Sequence, residues 1–174
     1  MNEAVKNLLT RRSCRSYKSE QIKKDELETV LKIATYAPTA MGTQSPLIIV
    51  VQDSEELKEL SQLNAAVWGR GNIDPFYGAP TAVCVFYDSE NKNGVQDASL
   101  VMGNLLNGAH AVGLASCWIN RAYEQFRLPE GEKYKKKWNL PANYEGIGIC
   151  VLGYAEGALP EPAPRKKDYV IWSK

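Results

Sequence analysis

Apolar residues at Val5, Leu8 and Leu9 recur at helical spacing and predict a short amphipathic helix over residues 2–11. A second stripe, Leu27, Val30, Leu31 and Ala34, predicts another helix, with Asp25 as its N-cap and Glu28 completing a capping box. That helix must stop near Ala37-Pro38, because proline disfavours a helical residue before it. Residues 39–46 are small and polar and predict a loop. The unbroken run Leu47-Ile48-Ile49-Val50-Val51 predicts a buried strand. Asp53, with Glu56 three residues on, predicts the cap of a third helix that runs to about Val67.

Residues 68–78 are rich in Gly, Asn, Asp and Pro and predict an irregular loop. Residues 81–87 predict a second buried strand. The stretch 96–112 has Ala98, Leu100, Val101, Met102, Leu105, Leu106, Ala109, Ala111 and Val112, with almost no polar face. Such a helix is expected to be covered on all sides, at the domain centre or in a subunit interface. Gly113 stands in C-cap position. Further strands are predicted at 115–119 and 146–154, with a charged helical region over 123–138 interrupted by Pro129. Residues 155–174 carry Pro160, Pro162 and Pro164 and end in Tyr169-Val170-Ile171-Trp172. An apolar tip on a proline-rich arm needs another surface, on its own domain or on a partner subunit.

No repeat or linker interrupts the pattern, so residues 1–174 are expected to form a single domain. The chain is 44% hydrophobic and 24% charged with a formal net charge of +1, which gives no footprint for nucleic acid. No apolar run is long enough for a bilayer span, and the N-terminus lacks the layout of a secretion signal; a cytoplasmic protein is expected. The four cysteines have neither metal-ligand nor redox spacing, and His110 is the one histidine, which argues against a metal site or a Ser-His hydrolase. There is no GxGxxG or P-loop fingerprint.

The remaining chemistry is concentrated in Arg11-Arg12-Ser13-Cys14-Arg15. Three guanidinium groups and a hydroxyl in five residues suit the phosphate of a bound cofactor. The plainer reading is a basic helix end that complements the helix dipole. Both readings stand on local grounds.

Four segments carry a resemblance. They are Arg11 to Tyr17; residues 37–46, Ala-Pro-Thr-Ala-Met-Gly-Thr-Gln-Ser-Pro; residues 113–119, Gly-Leu-Ala-Ser-Cys-Trp-Ile; and Leu152-Gly153-Tyr154 with the proline-rich spacing to Arg165. In this order they resemble the nitroreductase family of flavin-dependent oxidoreductases, over essentially the whole chain. The resemblance implies an α+β fold: a central, mostly antiparallel sheet flanked by helices, in an intertwined homodimer whose C-terminal arms are exchanged. It implies FMN as cofactor, NADH or NADPH as co-substrate, and a small-molecule acceptor such as a nitroaromatic or quinone, served in ping-pong order. Carried over residue by residue, Arg11, Arg12, Ser13 and Arg15 are similar to the N-terminal FMN-binding segment. Arg165, assisted by Lys167, resembles a late basic residue returning to the phosphate. Trp118, Ile119 and Asn120 resemble the segment against the isoalloxazine, and Pro38, Thr39 and Gln44 the segment reaching it from the other subunit. Gly42 stands where many members carry Asn.

The chemistry implied belongs to the flavin, so no catalytic side chain is assigned. Trp68, Phe76 and Tyr77 are candidate substrate-binding aromatics, with core packing as their alternative role. A specialised flavin reaction such as dehalogenation or flavin fragmentation, and a non-catalytic flavin-binding dimer, are the competing functions. The cluster Lys133, Lys135, Lys136, Lys137 is expected to be a solvated face, and Asp97, Asn104 and His110 hydrogen-bonding groups of core or interface.

Overall fold

The apolar run beginning at Thr81 sorts its side chains by strict alternation. In the computed structural model, which describes residues 1–173, it forms strand β2 (Thr81–Asp88). Ala82, Cys84 and Phe86 join one hydrophobic cluster, while Val83 and Val85 join another. Period-two alternation splits a continuous apolar strand between two layers. β4 (Tyr144–Gly153) divides likewise, with Ile149 and Val151 on one side and Cys150 and Leu152 on the other. With β1 (Leu47–Val51) and β3 (Ala115–Ile119) the sheet reads β1-β2-β4-β3, every pair antiparallel.

Helices cover both faces. α3 (Ser54–Val67), α5 (Ala122–Gln125) and α6 (Pro129–Lys137) close the first cluster, where Phe86 and Phe126 meet with ring centroids 4.9 Å apart. α2 (Lys24–Thr35) and α4 (Gly94–Ala111) close the second through Val30, Ala34, Met102 and Leu105. α1 (Glu3–Thr10) crosses the C-terminal half of α4, held by Asn7 Nδ2 donating to Asn107 O at 3.0 Å. Asp53 caps α3 as expected, its carboxylate accepting from Glu56 N at 2.9 Å.

Several expectations are corrected. α2 begins one residue before Asp25: Lys23 is the N-cap, without a side-chain cap bond. Asp25 lies inside the first turn, where a carboxylate complements the helix dipole. β1 is only partly buried; it is an edge strand, with Val51 in the core and Leu47 and Val50 exposed. α4 is covered within its own chain by the sheet, α2 and α1, but not all round: Val95 and Leu100 stay exposed. On α1, Val5, Leu8 and Leu9 are likewise exposed. The expected interruption of region 123–138 at Pro129 holds: it forms two helices, α5 and α6, because Pro129 starts a new helix at its first turn. The lysine cluster is not uniformly solvated: Lys135 is 4% exposed, 3.1 Å from Glu132 and 4.0 Å from Glu145. The described part of the arm, from Pro160 on, lies exposed, with one 3-10 turn at Lys167–Tyr169.

Candidate active site

The arginine loop leaves α1 and runs beside the edge strand β3. Cys14 N donates to Ser116 O at 2.9 Å, and Ser13 forms an isolated bridge with Ser116. Tyr17 is bridged to Ala155 beyond the end of β4, with its hydroxyl donating to Cys14 O at 3.1 Å. Cys14 and Tyr17 are buried, so the loop hangs from two core anchors. The loop therefore lies beside Ser116 and Cys117 of β3, the residues that precede the Trp118–Asn120 segment.

The three arginines differ. Arg12 Nη1 donates to Leu9 O (2.8 Å) and Arg11 O (2.7 Å), closing the C-terminus of α1. Arg15 is exposed. Arg11 has a buried Nη1 with no hydrogen-bond partner among the described residues. Its charge acts on three neighbours. Burial pushes the Cys117 thiol up, while Arg15, Ser13 and Arg11 pull it down. Burial, then Arg11 and Arg12, push His110 below its ordinary value. Arg11 also opposes the burial-driven rise at Cys150. Of the seven arginines, Arg127 alone forms a salt bridge among the described residues. A buried guanidinium nitrogen without a partner is costly, and an anion would satisfy it.

Trp118 turns its indole towards α4, over Gly148: a Cβ at Gly148 would lie 2.6 Å from Trp118 Nε1. Ile119 faces the opposite cluster. Asn120 is exposed, and its carbonyl is held from below by Asn64 Nδ2 at 2.9 Å. Asn64 is fully buried and makes four hydrogen bonds. Its amide also donates to Gln125 Oε1 (2.7 Å), and its oxygen accepts from Arg121 Nε (3.2 Å) and Nη2 (3.0 Å). Gln125 in turn donates to Leu60 O at 3.1 Å. Sequence reasoning passed over Asn64, Arg121 and Gln125. The legible signal was a polar residue, Asn64, on the apolar stripe of Leu57 and Leu60.

Pro38, Thr39 and Gln44 are not near the arginine loop of their own chain. Their segment is tied to the first turn of α4, where Ala40 N donates to Asp97 Oδ1 at 2.9 Å. The arginine loop lies at the other end of that helix, where Thr10 Oγ1 is 2.8 Å from His110 Nε2. Asp97 and His110 are about 20 Å apart at helical rise. Gly42 has φ +67°, a region open to Gly and Asn, and a Cβ there would meet nothing within 4 Å. Among the described residues the Arg165 side chain bonds Ala163 O only, and with Lys167 it lies on the exposed arm.

Among the candidate substrate aromatics, Phe76 is a correction. It is 2% exposed in the core, because its segment folds inward where Asp74 accepts from Phe76 N at 2.9 Å. Tyr77 is half-buried against the same cluster, and Trp68 alone presents its ring outward. A cavity of about 670 Å³ lies under residues 71–80, lined by Leu57, Ser61 and Phe76 among others. None of the predicted cofactor residues lines it. Among the described residues no helix is long and apolar enough to cross a membrane, and no cluster of potential metal ligands occurs.

Comparison with known proteins places this geometry in context. A model described as the nitroreductase family matches residues 8–154. An Archaeoglobus fulgidus protein named "Putative NADH dehydrogenase/NAD(P)H nitroreductase" is 31% identical over 161 residues, 88% of this chain and 86% of its own. A Bacillus subtilis protein named "FMN reductase NAD(P)H" is 36% identical over 135 residues, 67% of this chain and 53% of its own. Among solved structures, a Bacteroides fragilis nitroreductase with bound FMN superposes with a TM-score of 0.92 at 27% identity, covering 100% of both chains.

Proposed function

This chain belongs to the nitroreductase family, and from that membership we propose that it is an FMN-dependent NAD(P)H oxidoreductase acting on a small oxidised acceptor, a nitroaromatic, quinone or similar. The observation that carries the cofactor assignment to these residues is the buried, partnerless Arg11 Nη1, in a loop whose arginines meet no carboxylate among the described residues. When bound, FMN supplies hydride chemistry between a nicotinamide donor and the acceptor.

Arg11 and Arg15 are the donors for the phosphate and ring oxygens, with Ser13 beside them. Arg12 serves chiefly to hold the end of α1, which fixes where Arg11 points. Positive charge near the ring favours an electron-rich, anionic cofactor. The backbone of Trp118–Asn120 forms the wall against the isoalloxazine. Its position is set by β3 pairing and by Asn64 below Asn120.

The remaining wall comes from a second copy of the chain. Pro38, Thr39 and Gln44 lie about a helix length from their own arginine loop, so a symmetric dimer is the arrangement that brings both segments to one site. The exposed apolar residues of α1 and α4, and the tip Val170-Ile171-Trp172, are the surfaces such a dimer covers. Arg165 and Lys167 reach a phosphate only with the arm redirected in that assembly. The chain acts as one FMN-binding domain in the cytoplasm.

The test is an absorbance spectrum of the purified protein reconstituted with FMN, before and after anaerobic NADH or NADPH. Bound FMN bleached by either nucleotide supports the proposal. Failure to bind FMN, or flavin that neither nucleotide reduces, refutes it.

A further inference from the structure

Trp68, Arg70 and Arg121 form a cluster that the function above leaves without a task. The Arg121 guanidinium lies over the Trp68 indole at 4.4 Å from the ring centroid, and that of Arg70 at 4.7 Å. Two cations therefore share one exposed ring. Their placements are set independently. α3 ends in a Schellman turn: Gly69, at φ +72°, donates to Ala66 O at 2.9 Å, and Arg70 N donates to Ala65 O at 3.0 Å. This fixes Trp68 as the C-cap and Arg70 two residues on. Arg121 arrives from the end of β3 and is clamped by the buried oxygen of Asn64.

Capping the negative end of α3 accounts for Arg70. It does not account for Arg121, which adopts a left-handed φ of +73°, strained for a residue with a β-carbon, and still reaches the same ring. Cation–π attraction offsets part of the repulsion between the guanidiniums. No carboxylate pairs with either of them among the described residues. The Arg70 fork and the Arg121 Nη1 edge that Asn64 leaves free, beside Asn120, fit an anion with several oxygens. The chain has no glycine-rich dinucleotide fingerprint to serve that anion elsewhere.

We propose that Arg70 and Arg121, seated on Trp68, clamp phosphate oxygens of the reduced nicotinamide dinucleotide as its nicotinamide approaches the Trp118–Asn120 wall. This rests on the oxidoreductase function above. The phosphate gripped is either the pyrophosphate common to NADH and NADPH or the 2′-phosphate of NADPH alone. Neutral acceptors have nothing for the clamp, so it favours the donor.

The experiment uses the FMN-loaded enzyme, Arg70→Gln, Arg121→Gln and Arg121→Lys. Rates of anaerobic flavin bleaching are followed against concentration of NADH, NADPH and the phosphate-free donor 1-benzyl-1,4-dihydronicotinamide. Equilibrium binding of the non-reducing tetrahydro-NADPH is followed by the flavin band. Arg70 is exposed and its side chain makes no hydrogen bond among the described residues, so Arg70→Gln keeps the test sound if Arg121→Gln fails to fold. We expect both Gln variants to weaken dinucleotide binding by about fivefold or more, as loss of a charge-assisted bond does. In Arg70→Gln the limiting bleaching rate and the rate with the benzyl donor should be unaffected, and Arg121→Lys should recover part of the binding lost in Arg121→Gln. A loss confined to NADPH assigns the 2′-phosphate; an equal loss for both assigns the pyrophosphate. Unchanged dinucleotide affinity in FMN-loaded, bleachable variants overturns the clamp and leaves the reductase function standing. An equal loss with the benzyl donor in Arg70→Gln also overturns it. A wild type that cannot be loaded with FMN refutes the function and the clamp together.

Discussion

Ala40 and Asp97 are joined by a 2.9 Å hydrogen bond at the first turn of α4, the opposite end of that helix from the arginine loop. With Asn91 and Tyr144 donating to Ser45, this contact holds residues 38–45 away from the Arg11–Arg15 segment of their own chain. A site built from both segments therefore needs two chains. The protein should sediment as a dimer at micromolar concentration with FMN bound. A monomer that retains FMN would contradict the arrangement.

Arg11 should show opposite effects on stability and on binding. Its Nη1 is buried without a partner, so Arg11→Met removes an unsatisfied charge from the protein without cofactor. The same change deletes a donor to the anion and should weaken FMN binding by roughly 1.5–3 kcal/mol. Thermal melts with and without FMN give both quantities. A cofactor-free protein that melts lower, with FMN affinity intact, would show that Arg11 is structural. Arg165→Ala tests the arm: FMN affinity should fall, by the smaller loss typical of an exposed contact.

Asn64 connects α3, α5 and the turn after β3. Asn64→Ala leaves Gln125 and Arg121 without their buried partner and frees the Asn120 carbonyl. A destabilisation of about 3 kcal/mol is expected for a broken buried network. Urea unfolding of the variant measures it, and a loss below roughly 1 kcal/mol would mean water replaces the amide.

Gly148 is where β4 passes under the Trp118 ring. A methyl there would meet Trp118 Nε1 at 2.6 Å and Met102 Cε at 3.1 Å. Gly148→Ala should cost about 1–3 kcal/mol through overpacking. Tryptophan fluorescence should shift with it, because the indole must move. Unaltered melting and emission would show slack that the packing does not suggest.

His110 carries the pH dependence of this region. Burial first, then Arg11 and Arg12, hold its pKa below the ordinary 6.5. The unfolded chain therefore binds the proton at higher pH than the native state does. The contribution of His110 to stability is complete above about pH 6.5 and is lost as pH falls through the lowered native value. Stability measured from pH 7 down to 5 should decline with a component that His110→Gln removes. An unchanged slope in that variant would place the dependence elsewhere.

Periodicity alone determined most of the elements. The apolar runs of β2 and β4 and the stripe of α2 are local properties, so these elements were predicted within a few residues of their observed bounds. Only the tertiary structure decided what each apolar run packs against. Leu47–Val51 has the composition of a central strand, yet it lies at the sheet edge, because composition does not record neighbour order. Phe76 and Trp68 share one glycine-rich loop and one aromatic character, yet one fills the core and the other carries two guanidiniums. The arginine loop and the residue order around it are local in sequence, and so was their family resemblance. The Asn64–Arg121 clamp was not visible, because its members are 57 positions apart and only folding through β3 and α3 brings them together. Charge and periodicity are written along the chain; which charge goes unpaired, and beside what, depends on contacts that form only when distant segments meet.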